Sequence, residues 1–375
     1  MHTNSAWTSL IESACALLGN KLQATMAVAR KPFNSNDVVM ELHLDDNRTV
    51  FVRVLTQQSS DNSTTRWLQG RHTSEISILQ WLEMVAPNVP VSRVLAVDSV
   101  NGIIVTTYIP GLDAFHAYPL LKASAKEHSV VSWAQLALKL FRTSSPQCFG
   151  TPHAIEGTML RLGVHIGLSP GHCFDVGGST NLRTFFASAV ESRISRSAIL
   201  YANEPETHSL LCQRVARLFE GLESLMVELD SDPALSRFVL THTDPRPDNV
   251  ILDPVSGEVL AIVDWEYVSC FPAAMAAQYP EWIRSPIVGT QRYRNSKTTL
   301  LHYTLEPKAE RERLCNLYEE YMQRHDPEYH RCLIWGIRLR DAYVWITSPN
   351  DPDGEAMDKW VTEHLLGVTA DHRCA

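Results

Sequence analysis

The stretch Thr241 to Glu266, THTDPRPDNVILDPVSGEVLAIVDWE, constrains this chain more than any other part of it. Phe238 to Leu240 is apolar and β-prone, which predicts a short strand running into a polar loop that begins at His242 and carries Asp244 and Asn249. Val250 to Leu252 and Val259 to Val263 flank Pro254-Val255-Ser256-Gly257, a turn-forming cluster, and so predict a hairpin. That hairpin carries Asp264 back toward Asn249, so loop and hairpin share one site.

A carboxylate on such a loop can take the proton of a hydroxyl or amine as that group attacks phosphorus, and Asp244 is the candidate. Asn249 offers a neutral amide oxygen and Asp264 a charged carboxylate. The pair suits a hard cation such as Mg2+, which prefers oxygen ligands and bridges nucleotide phosphates. Arg246, an always-charged fork between base and metal ligand, matches phosphate oxygens and can offset charge developing on the transferred group. Taken alone, an Asp-Pro or Asp-Asn pair is ordinarily turn chemistry. The ordered set His242, Asp244, Asn249 and Asp264, with apolar strands between its members, is far more specific. His242 stands at the strand end and reads as a hydrogen-bonding residue that holds the loop rather than as a proton carrier.

HTDPRPDN followed by IVDWE resembles the catalytic and metal-binding segments of the aminoglycoside phosphotransferase and choline kinase-like family, whose usual pattern is HGDxHxxN followed by IDxE. DWExxxxxP, from Asp264 to Pro272, is similar to the fungal members of that family. The resemblance implies an α+β, two-lobed protein kinase-like fold, with a β-rich nucleotide-binding lobe at residues 1–109 and a larger, mostly helical lobe at residues 110–375. It also implies ATP or GTP and Mg2+ as cofactors, with the general base at Asp244 and the metal ligands at Asn249 and Asp264. Thr243 replaces the family's glycine and Arg246 its histidine, which moves the loop partway toward the DLKPEN form of Ser/Thr protein kinases. The acid-base and metal positions are untouched. WEYVSCFPAAM stands after Asp264 where a protein kinase would carry an APE-like segment, so a protein kinase ranks below a small-molecule kinase.

Three features upstream fit a nucleotide-binding lobe. Val38 to Leu44, the turn Asp45-Asp46-Asn47 and Thr49 to Leu55 read as strand, turn and strand, with Arg53 near the middle of the second strand. The resemblance puts there a lysine that pairs the α- and β-phosphates; the residue type alone is equally an exposed strand cation. A helix is expected to begin near Thr73, with Glu75 in its first turn. Glu75 there would favour the helix dipole, whereas the resemblance couples it to Arg53. Ile103 to Gly111, IIVTTYIPG, is similar to the family's link between lobes, where backbone groups of Thr107, Tyr108 and Ile109 would meet adenine. No glycine-rich loop precedes the first strand, where PFNSND stands at Pro32 to Asp37. Asn34, Ser35 and Asn36 must then bring backbone N–H groups to phosphate. That departure and Arg53 support a rival reading, a kinase-like binding protein that has lost turnover.

The chain's 375 residues allow two lobes with substantial cores, and its 45% hydrophobic and 20% charged content is that of a soluble, ordered protein. A net charge of −9 argues against nucleic-acid binding, which needs clustered Lys and Arg, and leaves room for an acidic cleft that takes a cationic small-molecule acceptor. The eight cysteines form no CxxC pair, so neither zinc nor redox chemistry is suggested and free cytoplasmic thiols are expected. Met1 to Gln23 is helix-like, interrupted by Glu12, and too short for a membrane span. Beyond Gly111 the helical period takes over at Trp133, Leu136, Ala137, Leu140 and Phe141, and predicts helices over Asn181 to Ile194, His208 to Leu229, Glu310 to Arg324 and Tyr329 to Trp345. Gly150 to Gly178 reads as a long connection. Tyr267, Phe271, Tyr279 and Trp282 read as packing beneath the catalytic loop.

Overall fold

The computed structural model describes residues 5–19, 24–30, 38–55, 62–167, 173–176, 178–284, 306–347 and 354–366; Asn34, Ser35 and Asn36 lie outside them. Strands β1 (Ala24–Arg30), β2 (Val38–Leu44), β3 (Thr49–Val54), β4 (Val94–Asp98) and β5 (Ile103–Thr107) form an antiparallel sheet in the order β1-β2-β3-β5-β4. Asn47 makes the β2–β3 turn tight by adopting φ 67°, a left-handed conformation that asparagine tolerates. On β3, Val50, Val52 and Val54 point to one face, where they join Met40 and Leu42 and the Ala14 and Cys15 face of helix α1 (Ser5–Leu18). Arg53 therefore falls on the opposite face, toward the cleft.

Helix α2 (Asn62–Val85) begins well before Thr73, so Glu75 sits in mid-helix and is buried. The interaction of Glu75 with a helix start is thereby ruled out. The early turns gave no clear apolar period because the residues they turn inward include the polar Arg71 and His72 beside Leu68. Farther along, Ile78, Leu79, Trp81 and Leu82 belong to the larger core, so this helix leans on the helical lobe although it lies in the N-terminal third of the chain.

The second lobe runs through β6 (Leu112–Asp113), α3 (Ala114–Ala117), α4 (Ala123–Arg142), β7 (Thr151–Glu156), β8 (Met159–Gly163), β9 (His165–Ile166), β10 (Cys173–Phe174), α5 (Leu182–Leu200), α6 (Pro205–Gly221), α7 (Glu223–Asp230) and α8 (Pro233–Ser236). There follow β11 (Phe238–His242), β12 (Val250–Leu252), β13 (Val259–Ile262), β14 (Val268–Pro272), α9 (Ala273–Ala276), α10 (Lys308–His325), α11 (Pro327–Trp335), α12 (Ile337–Thr347) and α13 (Gly354–Val361). The stretch expected as a long connection contains instead the β7–β8 hairpin, turned at Gly157 with φ 61°. The helix expected over Tyr329 to Trp345 is two helices divided at Gly336, where an added Cβ would stand 1.7 Å from the Ala274 carbonyl oxygen of α9. Tyr267, Phe271, Tyr279 and Trp282 are all buried, with Trp282 edge-on to Trp133 at 5.3 Å. Among the described residues no helix is long and apolar enough to cross a membrane, and Cys15, Cys148, Cys212, Cys270, Cys315 and Cys332 are free thiols.

Candidate active site

Strand β11 is buried along its whole length and pairs antiparallel with β14, so the loop leaving it starts from a fixed point. The Thr243 amide donates to Tyr267 O at 2.8 Å and the Val263 amide to Asn249 O at 2.9 Å, which brings the loop, the β12–β13 hairpin and the segment after it together. His242 ties the two motifs. Its Nδ1 accepts the Asp244 amide at 3.3 Å, which leaves Nε2–H to donate to the carbonyls of Val263 and Asp264 at 3.2 and 3.1 Å. Burial holds the ring below its usual pKa against the pull of Asp244 and Asp264, as this neutral tautomer requires. Asp264 has φ 65°, a left-handed backbone that costs roughly 1–2 kcal/mol in a non-glycine residue. The bond from His242 to its carbonyl helps to keep it there.

Asp244 is buried, and the Asn249 side-chain amide donates to its carbonyl at 2.9 Å and to its carboxylate at 3.4 Å. Asn249 Oδ1 is the amide atom that takes no part in these bonds. Arg246 Nε lies 3.1 Å from the Asp244 carboxylate and Arg246 Nη2 3.3 Å from Asp248. Burial works against its charge, but Asp244 and Asp248 outweigh burial and hold the guanidinium firmly cationic. For Asp248 burial wins and raises the carboxyl above its usual range, although Arg246 pulls it down.

Above the loop lies a cluster of two guanidiniums and three carboxylates. Arg53 Nη1 reaches Glu75 Oε2 at 3.0 Å, the coupling the resemblance implies, and also Asp264 Oδ1 at 2.6 Å. Arg53 Nη2 bonds Glu266 Oε2, while Arg71 Nη2 bonds Glu266 Oε1. Burial raises the Asp264 pKa, but Arg53 and Arg71 more than offset it, so Asp264 stays ionised below the usual range. Glu266 is pushed up to about 8 by burial, with Arg53 drawing it back and Asp264 opposing Arg53. At the lobe junction the Thr107 amide already donates to Arg93 O at 2.9 Å, while Tyr108 stacks on Phe51 at 6.1 Å.

The structure thus brings Asp244, Arg246, Asn249, Asp264, Arg53 and Glu75 into one connected network. It adds three members that sequence reasoning missed, Arg71, Asp248 and Glu266. A signal for Arg71 existed in its place one helical turn before Glu75, and Glu266 closes the IDxE-like motif. Among the described residues no group of three or more His, Cys, Asp and Glu could hold a metal. The donor set of Asn249 Oδ1 and an ionised Asp264 still fits Mg2+, which keeps few protein ligands and fills its other positions with phosphate and water.

A model of the APH phosphotransferase enzyme family matches residues 33–275. A curated relative, clavilactone A biosynthesis cluster protein Y of Ampulloclitocybe clavipes, is 25% identical over 345 residues, spanning 88% of this chain and 82% of the relative. The streptomycin–ATP ternary complex of APH(2'')-IIa superposes with a TM-score of 0.52 at 11% identity, over 98% of each chain. A candidate fructosamine-3-kinase from Thermobifida fusca YX-ER1 gives 0.51 at 15% identity, over 94% of this chain and 99% of its own. At such identities the structural likeness speaks to the fold, which is two-lobed and protein kinase-like.

Proposed function

Because this chain belongs to the phosphotransferase enzyme family, we propose that it is a Mg2+-dependent kinase that moves the γ-phosphoryl group of ATP, or GTP, to a hydroxyl or amine of a small molecule. The observation that carries this reading is the junction of Asp244, Asn249 and Asp264 through His242 and the Val263–Asn249 backbone bond. Asp244 accepts the acceptor's proton as its oxygen or nitrogen bonds to phosphorus and the bond to the leaving diphosphate breaks. Mg2+, held by Asn249 and Asp264, would supply charge neutralisation on the phosphate oxygens. Arg246 offsets charge on the transferred group, which requires it to loosen its present bond to Asp244.

Residues 1–109 form the nucleotide lobe and residues 110–375 the catalytic and acceptor lobe. Arg53, held by Glu75, faces the α- and β-phosphates. Adenine meets the Thr107 to Ile109 backbone, where the bond of the Thr107 amide to Arg93 O leaves the donor role to Tyr108 and Ile109. Streptomycin in one structural neighbour and a biosynthesis-cluster setting for the curated relative favour a small organic acceptor over a protein.

A phosphotransfer assay with γ-labelled ATP, Mg2+ and a panel of small hydroxyl and amine acceptors tests the reading. Asp244→Asn is expected to lower turnover by about 10²- to 10⁴-fold while the protein stays folded by far-UV circular dichroism and still binds nucleotide. Turnover undiminished by that change would remove Asp244 from its role. A binding protein without turnover is the second reading, favoured by the contacts of Arg53 with Asp264 and of Arg246 with Asp244. Nucleotide binding with no transfer to any acceptor would establish it.

A further inference from the structure

The side chain of Arg53 is unusual in what it bridges. Its two terminal nitrogens divide between Glu75 and Asp264 on one side and Glu266 on the other. A lysine, with a compact ammonium, has no planar fork to divide in this way. Glu266 is 2% exposed, and a carboxylate that deeply buried is retained only with strong partners. One of those partners is Arg71, itself 5% exposed. Its guanidinium lies 4.4 Å from the centre of the Trp67 ring and 4.9 Å from that of Tyr267, so two aromatic faces fix its plane while Nη2 holds Glu266. Trp67 is anchored in turn by a 3.0 Å bond from Nε1 to Gly167 O. Trp67, Arg71 and Glu75 follow one another at four-residue spacing along α2, so a single helix face presents both the residue that holds Glu266 and one that holds Arg53 directly.

We propose that Arg71 is a positioning residue for the nucleotide-binding cation Arg53, acting through Glu266; the proposal rests on the nucleotide-binding role assigned to Arg53 above. Arg71 fixes one oxygen of Glu266, and the other oxygen fixes one nitrogen of Arg53. With that nitrogen anchored, Arg53 can release Asp264 and turn its remaining donors toward phosphate without swinging out of the cleft. Glu75 alone, bonded to the nitrogen that must turn, cannot serve as that pivot. Arg71 does not touch the ligand.

The test combines Arg71→Met, Arg53→Met, the double variant and the conservative Arg71→Lys, each checked for a native far-UV circular dichroism spectrum. Affinity for Mg·ATP is measured by calorimetry, and thermal unfolding without nucleotide is measured in parallel. Arg71→Met is expected to weaken Mg·ATP by about 10- to 100-fold, the usual effect of removing a group that orients a binding side chain. Arg71→Lys, whose ammonium can bond Glu266 but has no plane for Trp67 and Tyr267 to fix, is expected to restore part of the loss, and Arg71→Met is expected to have no further effect once Arg53 is methionine. Affinity within twofold of wild type in Arg71→Met, or equal losses in both backgrounds, would overturn the proposal. If the wild type binds no nucleotide, the kinase reading fails and the unfolding data decide the positioning claim. Shifts from Arg71→Met and Arg53→Met that fall short of additive in the double variant support the coupling through Glu266, and additive shifts overturn it.

Discussion

Two buried polar networks meet the same short segment after the β12–β13 hairpin, and they are built from opposite materials. On the cleft side, Asp264 and Glu266 join Arg53, Arg71 and Glu75 in a charged cluster drawn from β3, α2 and the segment itself. Three residues on, Ser269 joins a neutral one: His165 Nδ1 lies 3.0 Å from Ser269 Oγ, His165 Nε2 3.0 Å from Tyr343 OH, and Thr151 Oγ1 3.0 Å from Ser269 Oγ. Burial lowers the His165 pKa to about 3, so that ring stays uncharged. The neutral network joins elements of the helical lobe only. The charged one spans both lobes, and it sets two guanidiniums and the ionised Asp264 at the place where an anionic nucleotide would have to be gripped. Burying ions is seldom the cheapest route to stability, so their retention here argues for a ligand.

The sharpest way to break this contrast is Arg53→Met. It leaves Glu75, Asp264 and Glu266 with Arg71 as the remaining guanidinium of the cluster, and removing one partner of a buried ionic group costs about 3–5 kcal/mol, read by urea unfolding. A loss no larger than that of an exposed pair would show that the cluster does not bind the lobes together. His165→Leu should cost less, about 1–3 kcal/mol, because it removes one hydrogen bond from each of the Ser269 and Tyr343 hydroxyls. The same variant sharpens the electrostatic side. In the folded protein His165 stays neutral to about pH 3, whereas in the unfolded chain it takes a proton below its ordinary 6.5. The unfolded state therefore binds more protons across that window, and stability falls on acidification by up to about 1.4 kcal/mol per pH unit. His242, also lowered by burial, contributes in the same direction. Unfolding measured between pH 7 and pH 4 should show a slope shallower by one proton in His165→Leu; an unchanged slope would mean that His165 is protonated in the fold. The smallest effect is expected at the exposed pair of Arg183 and Glu223, where Arg183→Ala should cost about 0.2–1 kcal/mol.

The two networks were unequally readable in the sequence. HTDPRPDN and IVDWE could be read because strand, loop and hairpin are local and each side chain's chemistry is stated by its type. Arg53 was placed on its strand by the β-prone run Thr49 to Leu55 after the Asp45-Asp46-Asn47 turn, and the structure sets it on the face opposite Val52 and Val54. Arg71 could not be read the same way, since its meaning depends on Glu266, 195 residues downstream. The mixed inward face of the early α2, where Arg71 and His72 are buried beside Leu68, also hid the true start of the helix, and so gave Glu75 the wrong local setting. In the neutral network, His165 and Ser269 carried no motif, and the β7–β8 hairpin was lost among Gly, Pro and His that read as a connection. Gly336 marked a helix break only once the α9 backbone lay against it.

The proposed role of Asp264, with Asn249, is to make the charged cleft a Mg2+-dependent nucleotide site. Calorimetric titration of ATP into the full chain, with and without Mg2+, for wild type and Asp264→Ala, tests it most directly. Tight binding to wild type that requires Mg2+ is expected, with loss of the Mg2+-dependent gain in Asp264→Ala. No ATP binding by the wild type, or an equal Mg2+ gain in both proteins, would contradict it.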